Sequence, residues 1–187
     1  VCTPEQAKGL LVEGSVVANV NHPKQVVISG TSEAVERVRA AAEAAEIKAV
    51  PLAVSHGFHS PIFADLDLNA IIDALSLSNP AIPVSSGIFD HPYQDADEAR
   101  EVFRAHATSP VVFTTALKRC EELGAELYLQ VGAGGPLRSF ARGTPASPTH
   151  TMLAPRRTAA STSSSSPTRT SVSRPSSAAA AISAPVC

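Results

Sequence analysis

The chain has 187 residues, 44% hydrophobic and 17% charged, with a formal net charge of -2, so bulk charge gives no case for a nucleic-acid or membrane-surface partner. Aromatic residues make up 4% and tryptophan is absent, so a core must rest on Val, Leu, Ile and Ala. No stretch approaches the roughly 18 apolar residues of a membrane span.

The opening VCTPEQAKGL has no basic segment ahead of an apolar run, so no signal peptide is expected. It also lacks Met and reads as a cut from something longer. Residues 16–20 and 25–29 are β-rich runs separated by Asn21-His22-Pro23-Lys24, which predicts a hairpin. Ser32 is the expected cap of a helix to about residue 46, with Val35, Val38, Ala42 and Ala45 at helical spacing. Residues 48–52 read as a strand. Strand, turn, strand, helix and strand make up much of a small ferredoxin-like α+β unit.

A polar loop, VSHGFHSP, covers 54–61. Residues 62–77 predict a helix, and 84–86 a short strand after the Pro80 and Pro83 connector. Asp95 with Glu98 is a capping-box pattern for a helix to about His106. Ser109-Pro110 predicts the start of the next helix, with Phe113, Ala116, Leu117 and Cys120 on one face and Gly124 at its end. Residues 126–131 read as a buried strand. Residues 132–135 read as a tight turn and 137–142 as a short helix. The second half is thus α/β in character.

Residues 144–187 differ in kind. Ser, Thr, Pro and Ala supply 33 of these 44 residues, and the four charged ones are all Arg. All 17 acidic residues and 11 of the 15 basic ones lie in 1–143. Such a segment offers little apolar surface against its chain entropy, and a disordered tail is expected. Two origins stay open, an interdomain linker or an out-of-frame translation of GC-rich DNA. Three distant cysteines, Cys2, Cys120 and Cys187, argue against a disulfide framework and fit a reducing compartment, so the expected location is cytoplasmic.

His56 and His59 flank Gly57-Phe58. A metal site is not expected, since neither HExxH nor a Cys/His cluster is present. A neutral imidazole can instead take a proton from a hydroxyl nucleophile. The bland alternative is that both are ordinary loop residues. The glycine turn at 132–135 lacks the Gly or Ala that a dinucleotide fingerprint needs at position 137, where Leu137 stands. His22, His91 and His150 have no chemical neighbours in sequence, and Cys120 reads as core. No Gly-x-Ser-x-Gly elbow occurs in the chain. If His59 is a base, its nucleophile lies elsewhere.

Four segments, ANVNHPKQVVISG (18–30), PLAVSHGFHSPIFADL (51–66), HATSPVVFTTAL (106–117) and LYLQVGAGGPLRSFAR (127–142), together resemble one family. It is the malonyl-CoA:acyl carrier protein transacylases, including acyltransferase domains of polyketide and polyunsaturated fatty acid synthases. The resemblance covers the family's C-terminal part. It implies a ferredoxin-like small subdomain over 1–52 (partial), the C-terminal part of an α/β-hydrolase-like large subdomain over 53–143, and the tail over 144–187.

The resemblance also implies ping-pong transfer of malonyl from coenzyme A to the phosphopantetheine thiol of acyl carrier protein. No cofactor is expected; the coenzyme A thioester is substrate. Expected partners are malonyl-CoA, acyl carrier protein and adjacent synthase domains, with no nucleic acid and no membrane. His59 falls on the catalytic histidine. His56, Gly57 and Phe58 fall on the substrate-selecting motif, usually HAFH in malonyl-selective members and YASH in methylmalonyl-selective ones. His106 falls where a backbone carbonyl orients the imidazole. The family's serine elbow, carboxylate-clamping Arg and oxyanion-hole Gln have no counterpart here, so this chain alone is expected to be inactive. The alternatives are a non-catalytic carrier-protein-binding module and a gene-fragment remnant.

Overall fold

Thr3 opens the first helix, α1 (Pro4–Gly9), with a reciprocal cap: its hydroxyl accepts from the Gln6 amide at 3.2 Å, and the Gln6 side chain accepts from the Thr3 amide at 2.9 Å. The sequence reading contained no such helix. The computed structural model describes residues 2–131, 136–142, 151–153 and 179–183. The expected turn at 132–135 lies outside them, as do His150 and Cys187.

The hairpin forms as β1 (Ser15–His22) and β2 (Gln25–Thr31), paired antiparallel from Ser15↔Gly30 to His22↔Gln25. Its turn is tighter than expected, because Asn21 stays in β1 and the His22 Nδ1 accepts from the Lys24 amide at 3.0 Å. Five successive residues of β2, Val26 to Gly30, are buried, so both faces of this strand are covered.

Helix α2 (Ser32–Ala44) follows at once. Its cap is Thr31, whose hydroxyl accepts from the Ala34 amide at 3.2 Å, and Ser32 is the first helical residue. The expected cap thus lies one residue too late. Val35 and Val38 pack with Cys2, Ala7, Val26 and Ile28 into the main core, flanked by Leu10, Val17, Ile47 and Ala49. Strand β3 is only Val50–Pro51.

The expected helix over 62–77 is corrected to two short pieces, a 3₁₀ turn at Pro61–Phe63 and α3 (Asn69–Asp73). The Asp67 side chain accepts from the Asn69 amide at 2.9 Å, a local turn that competes with helix propagation. Leu66, Ile71 and Leu75 stay exposed and only Ile72 is buried, too small an apolar face to hold a longer helix. The short strand expected at 84–86 is reduced to one bridge, Ser85↔Pro92.

Helix α4 (Ala96–Ala105) starts at Asp95, whose carboxylate accepts from the Asp97 and Glu98 amides at 2.9 Å. Glu98 accepts from the Gln94 amide rather than from Asp95, so the box closes one residue early. The helix expected from Ser109-Pro110 starts later. Val111–Val112 first form β4, parallel to β1 at Asn19 and Val20, and α5 is Phe113–Glu122. Pairing to β1 holds those two residues extended. Gly124 closes the helix with φ +86°.

Strand β5 (Leu127–Leu129) is shorter and more exposed than the buried strand expected, with Val131 beyond it 85% exposed. Among the described residues its only strand neighbour is β6 (Thr151–Leu153), parallel to it. Helix α6 is Pro136–Arg142.

A further strand, β7 (Ala179–Ser183), enters the main sheet, whose order is β3-β7-β2-β1-β4. The expectation of a structureless tail is therefore corrected at Thr151–Leu153 and Ala179–Ser183, where open strand edges supply backbone partners that composition cannot show.

Candidate active site

The loop after β3 carries the site. His59 has φ +56°, a left-handed conformation that a residue with a Cβ adopts at a cost of about 1–2 kcal/mol. Buried groups on either side hold it there. Ser60 is buried, and its hydroxyl donates to the Gly57 carbonyl at 2.6 Å. The Phe58 amide donates to the His56 carbonyl at 3.2 Å.

The His59 Nδ1 lies 2.8 Å from the backbone carbonyl of His106. A carbonyl only accepts, so Nδ1 carries the proton and Nε2 of the neutral ring is left as the acceptor. His106 is the C-cap of α4. Its carbonyl is one of the helix's unsatisfied last acceptors, at the negative end of the dipole. The same turn is fixed from behind by the Ser109 amide, which donates to the Ala105 carbonyl at 2.8 Å.

The two imidazoles also meet edge to face, with centroids 5.1 Å apart. Burial pushes the His106 ring below the ordinary histidine range, and the neighbouring His59 adds to this.

Phe58 is half exposed and stacks on Phe63, centroids 6.1 Å apart and planes within 5°. His56 lies 6.1 Å from Phe63 and 6.3 Å from Phe58, and its Nδ1 is 2.8 Å from the Ser55 hydroxyl. His56, Phe58 and Phe63 make one aromatic wall beside the imidazole. A cavity of about 280 Å³ lies nearby, lined by Gly14, Gly30, Thr31, Ser60 and Ile62 among others.

The structure thus brings His56, Gly57, Phe58, His59 and His106 to one place. Their separation in sequence, 47 residues from His59 to His106, gives no sign of the contact. The sequence reading missed Phe63 and Ser60. The aromatic at four residues from His59 was the available signal for the first; a serine after a histidine is no signal for the second. Among the described residues no group of three His, Cys, Asp or Glu is placed to hold a metal ion.

No family model matches the chain. Individual proteins do. The malonyl CoA-acyl carrier protein transacylase of Synechocystis sp. is 34% identical over 131 residues, which is 69% of this chain and 44% of that protein. The non-reducing polyketide synthase pkbA of Emericella nidulans is 32% identical over 130 residues, 68% of this chain and 5% of that protein. A solved structure of a type II polyketide-synthase acyl-carrier protein in complex with its malonyl-transacylase superposes with a TM-score of 0.77 at 28% identity, covering 85% of this chain and 53% of that one.

The fold is therefore an α/β acyltransferase fold. The chain belongs, as a partial match, to the family of malonyl-CoA:acyl carrier protein transacylases and polyketide-synthase acyltransferase domains. It spans less than half the length of the Synechocystis relative. No helix among the described residues is long and apolar enough to cross a membrane.

Proposed function

We propose that this chain is the base-bearing, C-terminal part of an acyltransferase that moves malonyl from coenzyme A to the phosphopantetheine thiol of an acyl carrier protein. The observation that carries this reading is the His59 Nδ1 to His106 carbonyl bond, which leaves Nε2 free to act as a base. In the reading, Nε2 takes the proton of a serine hydroxyl supplied by the missing part of the domain. The serine attacks the thioester carbonyl and coenzyme A leaves with the proton. The carrier thiol then repeats the sequence in reverse sense, and serine recovers its proton. The helix-end carbonyl stabilises the transient imidazolium.

The Phe58–Phe63 stack, with His56 and Gly57, forms the wall against the acyl unit. A bulky Phe58 crowds an α-methyl branch, so malonyl is the expected unit, with about 1–3 kcal/mol of discrimination from one methyl group. The coenzyme A thioester is substrate, and no bound cofactor enters the scheme. We read 1–52 as the greater part of a ferredoxin-like small subdomain and 53–143 as the closing part of the large one. Three widely spaced cysteines support a cytoplasmic, reducing setting.

The chain alone holds no Gly-x-Ser-x-Gly elbow, so it is expected to form no malonyl-enzyme. Incubation with radiolabelled malonyl-CoA tests this, and a labelled chain would overturn it. In a domain completed by a serine-bearing segment, His59→Ala lowers transfer by about 10²–10⁴-fold. An unchanged rate would remove His59 from the reaction. The absence of the elbow also favours a second reading, a non-catalytic module that binds carrier protein. Affinity for carrier protein without acyl transfer in any completed domain would select it.

A further inference from the structure

Between His59 and α3 the chain runs through closed turns. The Phe63 amide donates to the Ser60 carbonyl at 3.1 Å, Ala64 to Pro61 at 2.9 Å, and Leu66 to Phe63 at 3.0 Å. The Asp67 carboxylate accepts from the Asn69 amide at 2.9 Å, and the Ile72 amide donates to the Leu68 carbonyl at 2.9 Å. Each bond takes freedom from the few residues it spans, so the orientation of α3 is passed back to the His59 loop.

Helix α3 is tied to α4 at both of its ends. Arg104, in the last turn of α4, donates through Nε to the Asn69 Oδ1 at 3.0 Å and through a second nitrogen to the Asp73 carboxylate. Asn69 and Asp73 are the first and last residues of α3. A planar guanidinium fixes a direction between two acceptors, which an ammonium does not. Ile72 is the one buried side chain of α3, and a single apolar contact is a pivot. The fork to both ends stops rotation about it. Arg100, one turn earlier, adds a bond to the Leu75 carbonyl at 3.3 Å. The ordinary role of a cation in a last turn is to face that helix's own carbonyls. Arg104 turns instead to side chains of α3.

Two residues beyond Arg104 stands His106, whose carbonyl receives the His59 Nδ1–H. The path is therefore closed: His59, the turns, α3, Arg104, the end of α4, and back to His59 through the carbonyl. We propose that Arg104 is a positioning residue for His59. By forking Asn69 and Asp73 it fixes the loop on one side of the His59–His106 bond to the helix end on the other, and so selects the Nδ1-protonated tautomer. Its bearing on acyl transfer rests on the reading of His59 as the base; the tautomer itself exists without turnover. The Arg104–Asp73 pair is partly exposed, 38% and 59% at the two side chains. Such pairs add little to global stability, so the chain is expected to fold without it.

The test is ring-nitrogen NMR on the full chain with isotope-labelled histidine, at alkaline pH where ordinary imidazoles are neutral. His59 is assigned by comparison with His59→Gln. Wild type should show His59 protonated at Nδ1. In Arg104→Met the ratio of Nδ1–H to Nε2–H should fall about two- to fivefold, the size of an exposed pair. The double variant Asn69→Ala/Asp73→Ala cuts the same tie from α3 and should do likewise. His22, whose Nδ1 accepts from the Lys24 amide, reports a folded hairpin and should not change. Arg119→Met removes an Arg of equal side-chain exposure, 38%, from its pair with Glu122 on α5, and should leave His59 as it is. An unchanged His59 ratio in Arg104→Met or in the double variant would overturn the proposal, as would an equal fall in Arg119→Met or a wild-type ring protonated at Nε2. If Arg104→Met loses the His22 signal, the double variant alone decides: a fall supports the proposal and an unchanged ratio overturns it. The acyl-transfer reading fails separately, on an unchanged rate in His59→Ala, and the ring measurement does not depend on that rate.

Discussion

The segment through β3 and the eighty residues after it achieve order in different ways. The first packs Cys2, Ala7, Val26, Ile28, Val35 and Val38 around the hairpin and α2, with Val38 wholly buried. Among the described residues from 52 to 131, the buried apolar side chains are only Ile72, Ala99, Val102 and Leu117. Leu66, Ile71, Ile82, Leu127, Leu129 and Val131 face outward there. That second region is held by backbone pins: the Asp95 cap, the Ser109 amide on Ala105, the Tyr128 hydroxyl on the Leu117 carbonyl at 3.2 Å, and His59 on His106. The reacting imidazole of the proposed mechanism sits in the region with the thinner core. Its position is set by directional bonds rather than by close packing.

The largest expected contrast comes from one charge placed in each region. Val38→Asp buries an unpaired carboxylate and should cost about 4–5 kcal/mol or unfold the unit. Ile71→Asp, 66% exposed in the wild type, should stay within about 0.5 kcal/mol. Urea unfolding followed by circular dichroism measures both, and equal losses would erase the distinction.

Gly30→Ala comes next. A Cβ there would stand 2.2 Å from the Gly14 carbonyl oxygen and 2.9 Å from the Ser15 Cα, so backbone must move. A loss of about 1–3 kcal/mol is expected. A neutral result would mean that the hairpin yields as easily as the outer region.

A smaller effect separates two substitutions at His59. Ala and Gly both remove the imidazole bond, but only Gly relaxes the positive φ. His59→Gly should be more stable than His59→Ala by about 1 kcal/mol. Equal stabilities would show that the loop bears no strain.

The smallest effect is on pH. Burial lowers the folded His106 pKa, so as acid is added the unfolded chain takes up this proton first. Stability should therefore fall as pH drops through the ordinary histidine range toward the lower folded value. His22, also lowered by burial, acts in the same direction. His91 is raised by its bond to Asp90, so its contribution is present below the ordinary value and is lost as pH rises. Replacing His106 by Gln keeps the carbonyl and should flatten the acid-side loss. Urea midpoints across a pH series give the slope, and an unaltered slope would clear His106 of the effect.

Much of the ordered region was legible because local signals agreed with tertiary ones. The hairpin, α2 and α4 each carry a turn or cap beside a periodic apolar face, and each formed within a few residues of its expected span. Residues 62–77 misled for a physical reason. An apolar run reads as a helix only if something covers it, and here Leu66, Ile71 and Leu75 meet water. The 111–112 strand was hidden because its extended form comes from β1, some ninety residues away. The HGFH loop was visible as a motif. Its contact with a helix end was not, since a backbone carbonyl has no signature in side-chain identity.

The two-residue ladder between β1 and β4 has a consequence for distance. Asn19 and Val20 meet Val111 and Val112, and the chain reaches β4 only a few residues after His106. A shift of one residue along a strand moves the backbone by about 3.3 Å. A hydrogen bond tolerates only a few tenths of an ångström before it fails. The pairing therefore works as a ruler: by fixing where α4 ends relative to the small unit, two rungs of sheet set the span across which His59 meets its carbonyl.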